Sequence, residues 1–181
     1  MRIKPLSKRG TVVVELNGQA EQLLAEAPSL KLRQILVPTD FSDCSEKALR
    51  YALSFAQQFQ AGLVLLHVIE LYPIDYLLGV KSTMEANDWL REQAQARLGQ
   101  MRQQCARAGL VHAETVTTFG KPFREIARVA TEWNVDLIII ATHGYTGLKH
   151  IQLGSTAERV VRHAPCPVLV VRGHEGGAVP A

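Results

Sequence analysis

The stretch Ile138-Ile-Ile-Ala-Thr-His-Gly-Tyr-Thr-Gly-Leu-Lys-His-Ile-Gln-Leu-Gly-Ser-Thr-Ala-Glu158 decides the fold. It reads as a buried strand, a loop punctuated by glycines, and a helix opened by Gly154-Ser155-Thr156. A strand that is apolar on both faces must be covered on each side, which points to a parallel sheet between layers of helices. The start of the following helix carries unpaired backbone N–H groups and the positive end of the helix dipole, and glycine lets an anion approach closely. Serine and threonine hydroxyls add donors at the same place. These residues fit a phosphate. They fit an ordinary helix cap after a surface loop equally well, since Ser and Thr are usual caps.

The same alternation of strand and helix runs through the chain from Arg33 onward. Gln34-Ile-Leu-Val37 is a short apolar run stopped by Pro38. Ser42 or Asp43 caps a helix reaching about Gln60, whose Ala48, Leu49, Ala52, Leu53, Ala56 and Phe59 form one apolar stripe. Asp43 with Glu46 resembles a capping box. Gly62 leads into the continuous apolar strand Leu63–Ile69. A connection from Glu70 to Ser82 precedes a polar helix predicted from about Thr83 to Ala108, with Met84, Trp89, Leu90, Ala94, Leu98 and Met101 as its buried side. Ala113-Glu-Thr-Val-Thr117 alternates as a strand, and Gly120-Lys-Pro122 turns into a helix through Phe123, Ile126, Ala127 and Ala130. Asp136 precedes the buried strand Leu137–Ala141. The last helix runs from Ser155 to about His163, and Pro167-Val-Leu-Val-Val171 is the last strand.

The pattern predicts a doubly wound α/β sandwich with about five parallel strands in the order 3-2-1-4-5 and helices on both faces. Residues 33–172 form this domain. Residues 1–32 are an extension, with a strand at Thr11–Leu16 and a helical patch around Ala20–Glu26 closed by Pro28; residues 173–181 are a flexible tail. Ligands of such sheets bind beyond the carboxyl ends of the strands, where the strand order reverses. That point lies between the Gln34 strand and the Leu137 strand. The loops that follow them, Pro38-Thr-Asp40 and Ala141–Gly154, face one crevice, which favours a nucleotide-like ligand.

Composition narrows the class. The net charge is only +3, with acids and bases interspersed, so no basic face for nucleic acid is present in the sequence. Cys44, Cys105 and Cys166 are scattered, with no metal or disulfide spacing, as expected in a reducing compartment. The basic N-terminus is followed by no apolar run long enough for a signal segment, and the run Leu137–Ala141 is far too short to span a bilayer. A cytoplasmic protein that uses neither membrane nor nucleic acid is expected.

Several motifs together resemble the universal stress protein family: Val37-Pro-Thr-Asp-Phe-Ser42, Leu65-Leu-His-Val68, Ala141-Thr-His-Gly144 with Gly154-Ser155, and Pro165-Cys-Pro-Val-Leu-Val-Val171. The resemblance spans about residues 33–172. It implies the ATP-binding branch, whose motif is G-x2-G-x9-G-[S/T]; this chain has Ala141-x2-Gly144-x9-Gly154-Ser155, with every spacing kept and the first glycine replaced. Residue 141 is where the family brings backbone against ribose, so the expectation is ATP binding, weakened to the extent that the methyl of Ala141 intrudes. By the same resemblance Asp40 and the backbone of Val68 border the adenine, and Pro38 and Thr39 shape the floor. Gly144, Gly154, Ser155 and Thr156 receive the phosphates, with His143 nearby. Asp40 also suits a helix-capping role, His143 a plain loop position, and Cys166 a structural one. His67, on an apolar strand, reads more readily as a satisfied core histidine than as a ligand.

Catalysis has little support. There is no GxxxxGK[ST] loop, no G-x-S-x-G elbow and no HExxH. The spacing of Asp40 and Glu70 does not require a shared magnesium site. Slow or absent hydrolysis of bound ATP is therefore expected, with or without magnesium. Two classes of function remain: a binding module for ATP or AMP, or a protein that binds no nucleotide and acts through dimerisation and partners. A phospho-accepting receiver fails on chemistry, because the last strand ends at Val171-Arg172 without the lysine such a site uses. The family resemblance and the apolar edge strand Pro167–Val171 both imply a homodimer.

Overall fold

Side chains buried on both faces make the three central strands of the larger unit interior elements, and helices must cover them. The computed structural model describes residues 2–5, 12–15, 31–70, 84–142 and 154–172. The chain divides into two compact units, residues 1–31 and 32–181. In the first, β1 (Arg2–Pro5) and β2 (Val12–Glu15) pair antiparallel, with Arg2 opposite Glu15 and Pro5 opposite Val12. The helical patch expected at Ala20–Glu26 and the tail at 173–181 lie outside the described residues.

In the second unit the order is β3 (Gln34–Pro38), α1 (Asp43–Phe59), β4 (Gly62–Ile69), α2 (Met84–Arg107), β5 (Ala113–Phe119), α3 (Pro122–Glu132), β6 (Leu137–Ala141), α4 (Ser155–His163) and β7 (Val168–Val171). The sheet runs β5-β4-β3-β6-β7 and every pair is parallel. In the unit's own strand count this is the order 3-2-1-4-5, a doubly wound α/β fold.

Alternate residues of each strand enter two separate cores, as the pleat requires. Ile35, Val37, Leu63, Leu65 and Ile139 pack with Ala48, Leu49, Ala52 and Ala56 of α1 and with Leu98 and Cys105 of α2. Leu36, Val64, Leu66, Ile138 and Ile140 pack with Ile126, Val129 and Ala130 of α3 and with Ala157 and Val160 of α4. Helices α1 and α2 therefore cover one face, and α3 and α4 the other. Leu32 is buried in the first core, which places the start of this unit one residue earlier than the strand pattern alone indicates.

One local reading is corrected and two are sharpened. Trp89 is 59% exposed, while Cys105 is fully buried in its stead. Ala94, Leu98, Met101 and Cys105 share one helix face, and Trp89 lies roughly 140° around the axis from Ala94 at ~100° per residue. The cap of α1 is Ser42, whose hydroxyl accepts from Ser45 N at 3.3 Å. Asp43 is thus the first helical residue, and with Glu46 it favours the positive helix end as a charge, not as a box. Asp136 does more than precede β6. Its Oδ2 accepts from the backbone N–H groups of Arg33 (2.7 Å) and Gln34 (3.0 Å), and so clamps the entry of β3 to that of β6.

The difference between the two faces of α2 is testable. Leu98→Ala empties a fully buried site and is expected to cost about 2–5 kcal/mol in urea unfolding, whereas Trp89→Ala is expected to stay within about 0.5 kcal/mol. Equal losses would contradict the assigned helix face.

Candidate functional site

At the carboxyl end of β3 the chain makes a tight turn. Thr39 N donates to Leu66 O at 2.8 Å, which continues the β3–β4 ladder one step past the strand. The Thr39 side chain is buried; its Oγ1 lies 3.1 Å from Ser45 Oγ and accepts from Phe41 N at 3.0 Å. Phe41 takes a left-handed conformation, φ 63°, which a bulky side chain adopts only when its surroundings enforce it. Those surroundings are visible. The Phe41 ring lies 4.4 Å from the His67 ring, and the Arg97 guanidinium carbon lies 4.1 Å from its centroid. Asp40 Oδ1 accepts from Ser42 N (3.1 Å) and from Ser42 Oγ (2.6 Å), so the carboxylate holds the helix-capping residue in place. Pro38 is buried, and Val68, half-buried at the end of β4, packs on the α3/α4 side.

His67 is a satisfied histidine. Its Nδ1–H donates to the Thr39 carbonyl at 2.8 Å. Burial holds the imidazole below the ordinary histidine range, and the charge of Arg97 acts in the same direction. The hydrogen bond to Thr39 and the Asp40 carboxylate oppose that shift without reversing it.

The second side of the crevice comes from β6 and α4. Thr142 N donates to Val171 O at 2.9 Å, and Thr142 O accepts from Gly154 N at 2.7 Å. The chain therefore leaves β6 and enters α4 at a single point. The cap of α4 is Gly154, φ −67° and ψ 150°, with no side-chain capping bond. Ser155 is thus the first helical residue, not the cap expected from its type, and its side chain is exposed. Ala141 is 8% exposed, and its methyl belongs to the core on the α1 side. The alanine that departs from the glycine pattern hence points away from α3 and α4. His143, Gly144 and Lys149 lie outside the described residues.

Between the starts of α3 and α4 a cleft of about 220 Å³ opens. It is lined by Glu70 after β4, by Lys121 to Phe123 at the start of α3, and by Ser155, Thr156 and Arg159 of α4. Gly120, at φ +148°, makes the turn into α3; a Cβ there would lie 2.9 Å from Glu125 Cγ. Burial pushes the Glu125 carboxyl up, but hydrogen bonds from Arg128 and Thr118 outweigh it and hold the group below the usual carboxylate range. Sequence reasoning singled out Ser155 and Thr156 here but missed Lys121 and Phe123. Their signal was Gly120-Lys-Pro, a second helix start at the same end of the sheet. Phe41 and Arg97 carried no local signal, because the contact joins residues 56 apart.

Residues 31–172 match the model of the Universal stress protein family. The chain is 36% identical over 141 residues to the universal stress protein MJ0531 of Methanocaldococcus jannaschii, covering 77% of this chain and 82% of that protein. The solved structure of the protein MJ0577 is 33% identical, with a TM-score of 0.70, covering 78% of this chain and 96% of that one. A universal stress protein solved in complex with cAMP shares the fold at 22% identity, with a TM-score of 0.64 over 80% of this chain and 99% of that one.

The low basicity of His67 sets a pH dependence. With its folded-state pKa below the unfolded value, the unfolded chain binds more protons in the window between the two. Stability from this residue is complete above the unfolded histidine pKa and declines as pH falls through that window. His67→Gln keeps an N–H donor without the titration, and is expected to flatten the slope of unfolding free energy between about pH 7 and pH 5. Parallel curves for the two proteins would contradict the role given to burial of His67.

Proposed function

The chain belongs to the universal stress protein family, and we propose that it is a binding module of that family which holds ATP or AMP in the crevice between β3 and β6. The start of α4 carries this reading. Gly154 leaves the first turn without a side-chain cap, and Ser155 and Thr156 add hydroxyls to its N–H groups. In this arrangement Asp40 and the Val68 backbone border the adenine, Pro38 and Thr39 form the floor, Ala141 lies by the ribose, and Gly154, Ser155 and Thr156 take the phosphates. The cAMP held by a protein of the same fold supports the class of ligand. The module acts in a stress response in the cytoplasm.

Efficient turnover is not part of the proposal. Phosphoryl transfer to water needs a positioned nucleophile and neutralisation of charge at the leaving group. Among the described residues no three His, Cys, Asp or Glu side chains cluster as a metal set, and Asp40 Oδ1 is engaged by Ser42. Magnesium would arrive with the nucleotide.

Replacing Gly154 with Val puts a branched side chain where a phosphate must approach, while φ −67° remains accessible to valine. Calorimetric titration is expected to show ATP affinity reduced about tenfold or more, equivalent to one lost charge-assisted contact, with Ser155→Ala having a smaller effect and both variants folded. Unchanged affinity of Gly154→Val removes the phosphate assignment. Ala141→Gly is expected to cost about 1 kcal/mol of stability and leave affinity unaltered, since the methyl sits in the core. Tighter binding would show that it crowds the ligand instead.

A homodimer through the last strand is the second element of the proposal. Pro167 O, just before β7, and Val171 O accept from Ile138 N of β6 and from Thr142 N just after it, so the backbone groups of odd-numbered residues point toward β6. In a parallel pair the N–H and C=O of Val168 and Val170 then point to the outer side. Among the described residues β7 pairs with β6 alone. An edge of this kind invites a second copy around a two-fold axis. Val170→Pro deletes an outward donor and is expected to convert a dimer to a folded monomer in light scattering. A monomeric wild type at micromolar concentration, or a folded variant that stays dimeric, would exclude this interface.

A further inference from the structure

We propose that Lys121 and Arg159 form a subsite for the distal phosphates of a nucleoside triphosphate, so that the cleft between α3 and α4 discriminates ATP from AMP. The inference rests on the nucleotide reading above and extends it. Ser155 and Thr156, proposed to receive phosphate, line this same cleft. The cleft extends from Ser155 and Thr156 at the start of α4 across to Lys121 and Phe123 at the start of α3.

The charges of the cleft run against the ordinary preferences of helices. Cations are unfavourable at a helix N-terminus, where the dipole is already positive. Yet Lys121 is the N-cap residue of α3 and Arg159 stands one turn into α4. Neither forms an ion pair with a described residue, a state they share with Arg124 in the first turn of α3; what sets Lys121 and Arg159 apart is that both line the cleft. Departures from local preference of this kind are expected at functional or strained sites. An anion between the two helix starts removes the conflict, since it is attracted by both dipoles and both side chains.

Arg159 is also held in place. Its guanidinium carbon lies 5.3 Å from the centroid of Phe123, within reach of a cation–π contact. Ser155 and Arg159, four residues apart, share one face of α4 and point to the same cleft. The planar guanidinium suits bidentate contact with phosphate oxygens, and the lysine supplies a point charge from the facing helix. Glu70 keeps the lining from being purely cationic and works against indiscriminate binding of anions.

Wild type, Lys121→Gln, Arg159→Gln and the double variant are titrated with ATP, AMP and inorganic tripolyphosphate, with circular dichroism as the check of folding. ATP affinity is expected to fall about tenfold for each single variant, with AMP affinity unchanged. Tripolyphosphate should follow ATP, Arg159→Lys should recover part of the loss, and added salt should narrow the gap between ATP and AMP. Equal losses for ATP and AMP, or none for either, overturn the subsite while leaving the nucleotide reading intact. A wild type that binds neither nucleotide overturns that reading. In that case tripolyphosphate binding that depends on both cations preserves the cleft as a polyphosphate site, and its absence overturns the cleft as well.

Discussion

The constraint on which this structure depends is that β3 and β6 lie side by side with both faces covered. Ile35, Leu36, Val37, Ile138 and Ile139 are without exposed surface, and their alternation feeds two cores at once. No polar group can be placed in those strands without a buried partner. Chemistry is therefore displaced to their carboxyl ends. Because the chain crosses from β3 to β4 in one direction and reaches β6 on the other side, the loops after β3 and β6 diverge to opposite faces and leave a crevice between them. The Asp136 carboxylate clamps the other end of this pair through two backbone N–H groups. One end of the central strands is clamped, and the other opens into the crevice.

How that open end is shaped depends on contacts remote in sequence. Phe41 keeps a left-handed backbone between His67 and Arg97, and the turn so formed commits Asp40 to Ser42 and Thr39 to Ser45. Strain held by packing of this sort is a common property of binding turns. On the other side, the bond from Gly154 N to Thr142 O fixes where α4 begins relative to β6. The two walls are thus set independently, one by ring packing and one by the backbone.

The strands and the layer of helices were legible because their apolar periodicity is strong. Leu63–Ile69 and Leu137–Ala141 can only be interior strands, and the stripe Ala48, Leu49, Ala52, Ala56 can only face a core. The sheet order followed from the alternation of strand and helix, and the family from motifs kept in sequence order. What was not legible depended on geometry between elements. Trp89 looked like a core residue by type, but the phase of α2 is set by Leu98 and Cys105. Ser155 looked like a cap by type, but the cap is Gly154, because the bond to Thr142 ends the loop one residue earlier. The direction of the Ala141 methyl follows from strand parity, which a motif alone does not contain. Lys121 and Arg159 line one cleft only because α3 and α4 start at the same end of the sheet.

The central claim is that the crevice between β3 and β6 holds an adenine nucleotide. Its most direct test is to purify the full chain without added nucleotide, release any bound small molecule by heat, and identify it by mass. ATP or AMP is expected in near-stoichiometric amount from the wild type, with a clear loss from Gly154→Val. A wild type that releases no nucleotide and shows no heat of binding on titration with ATP would contradict it, and leave partner contact as the function of the fold.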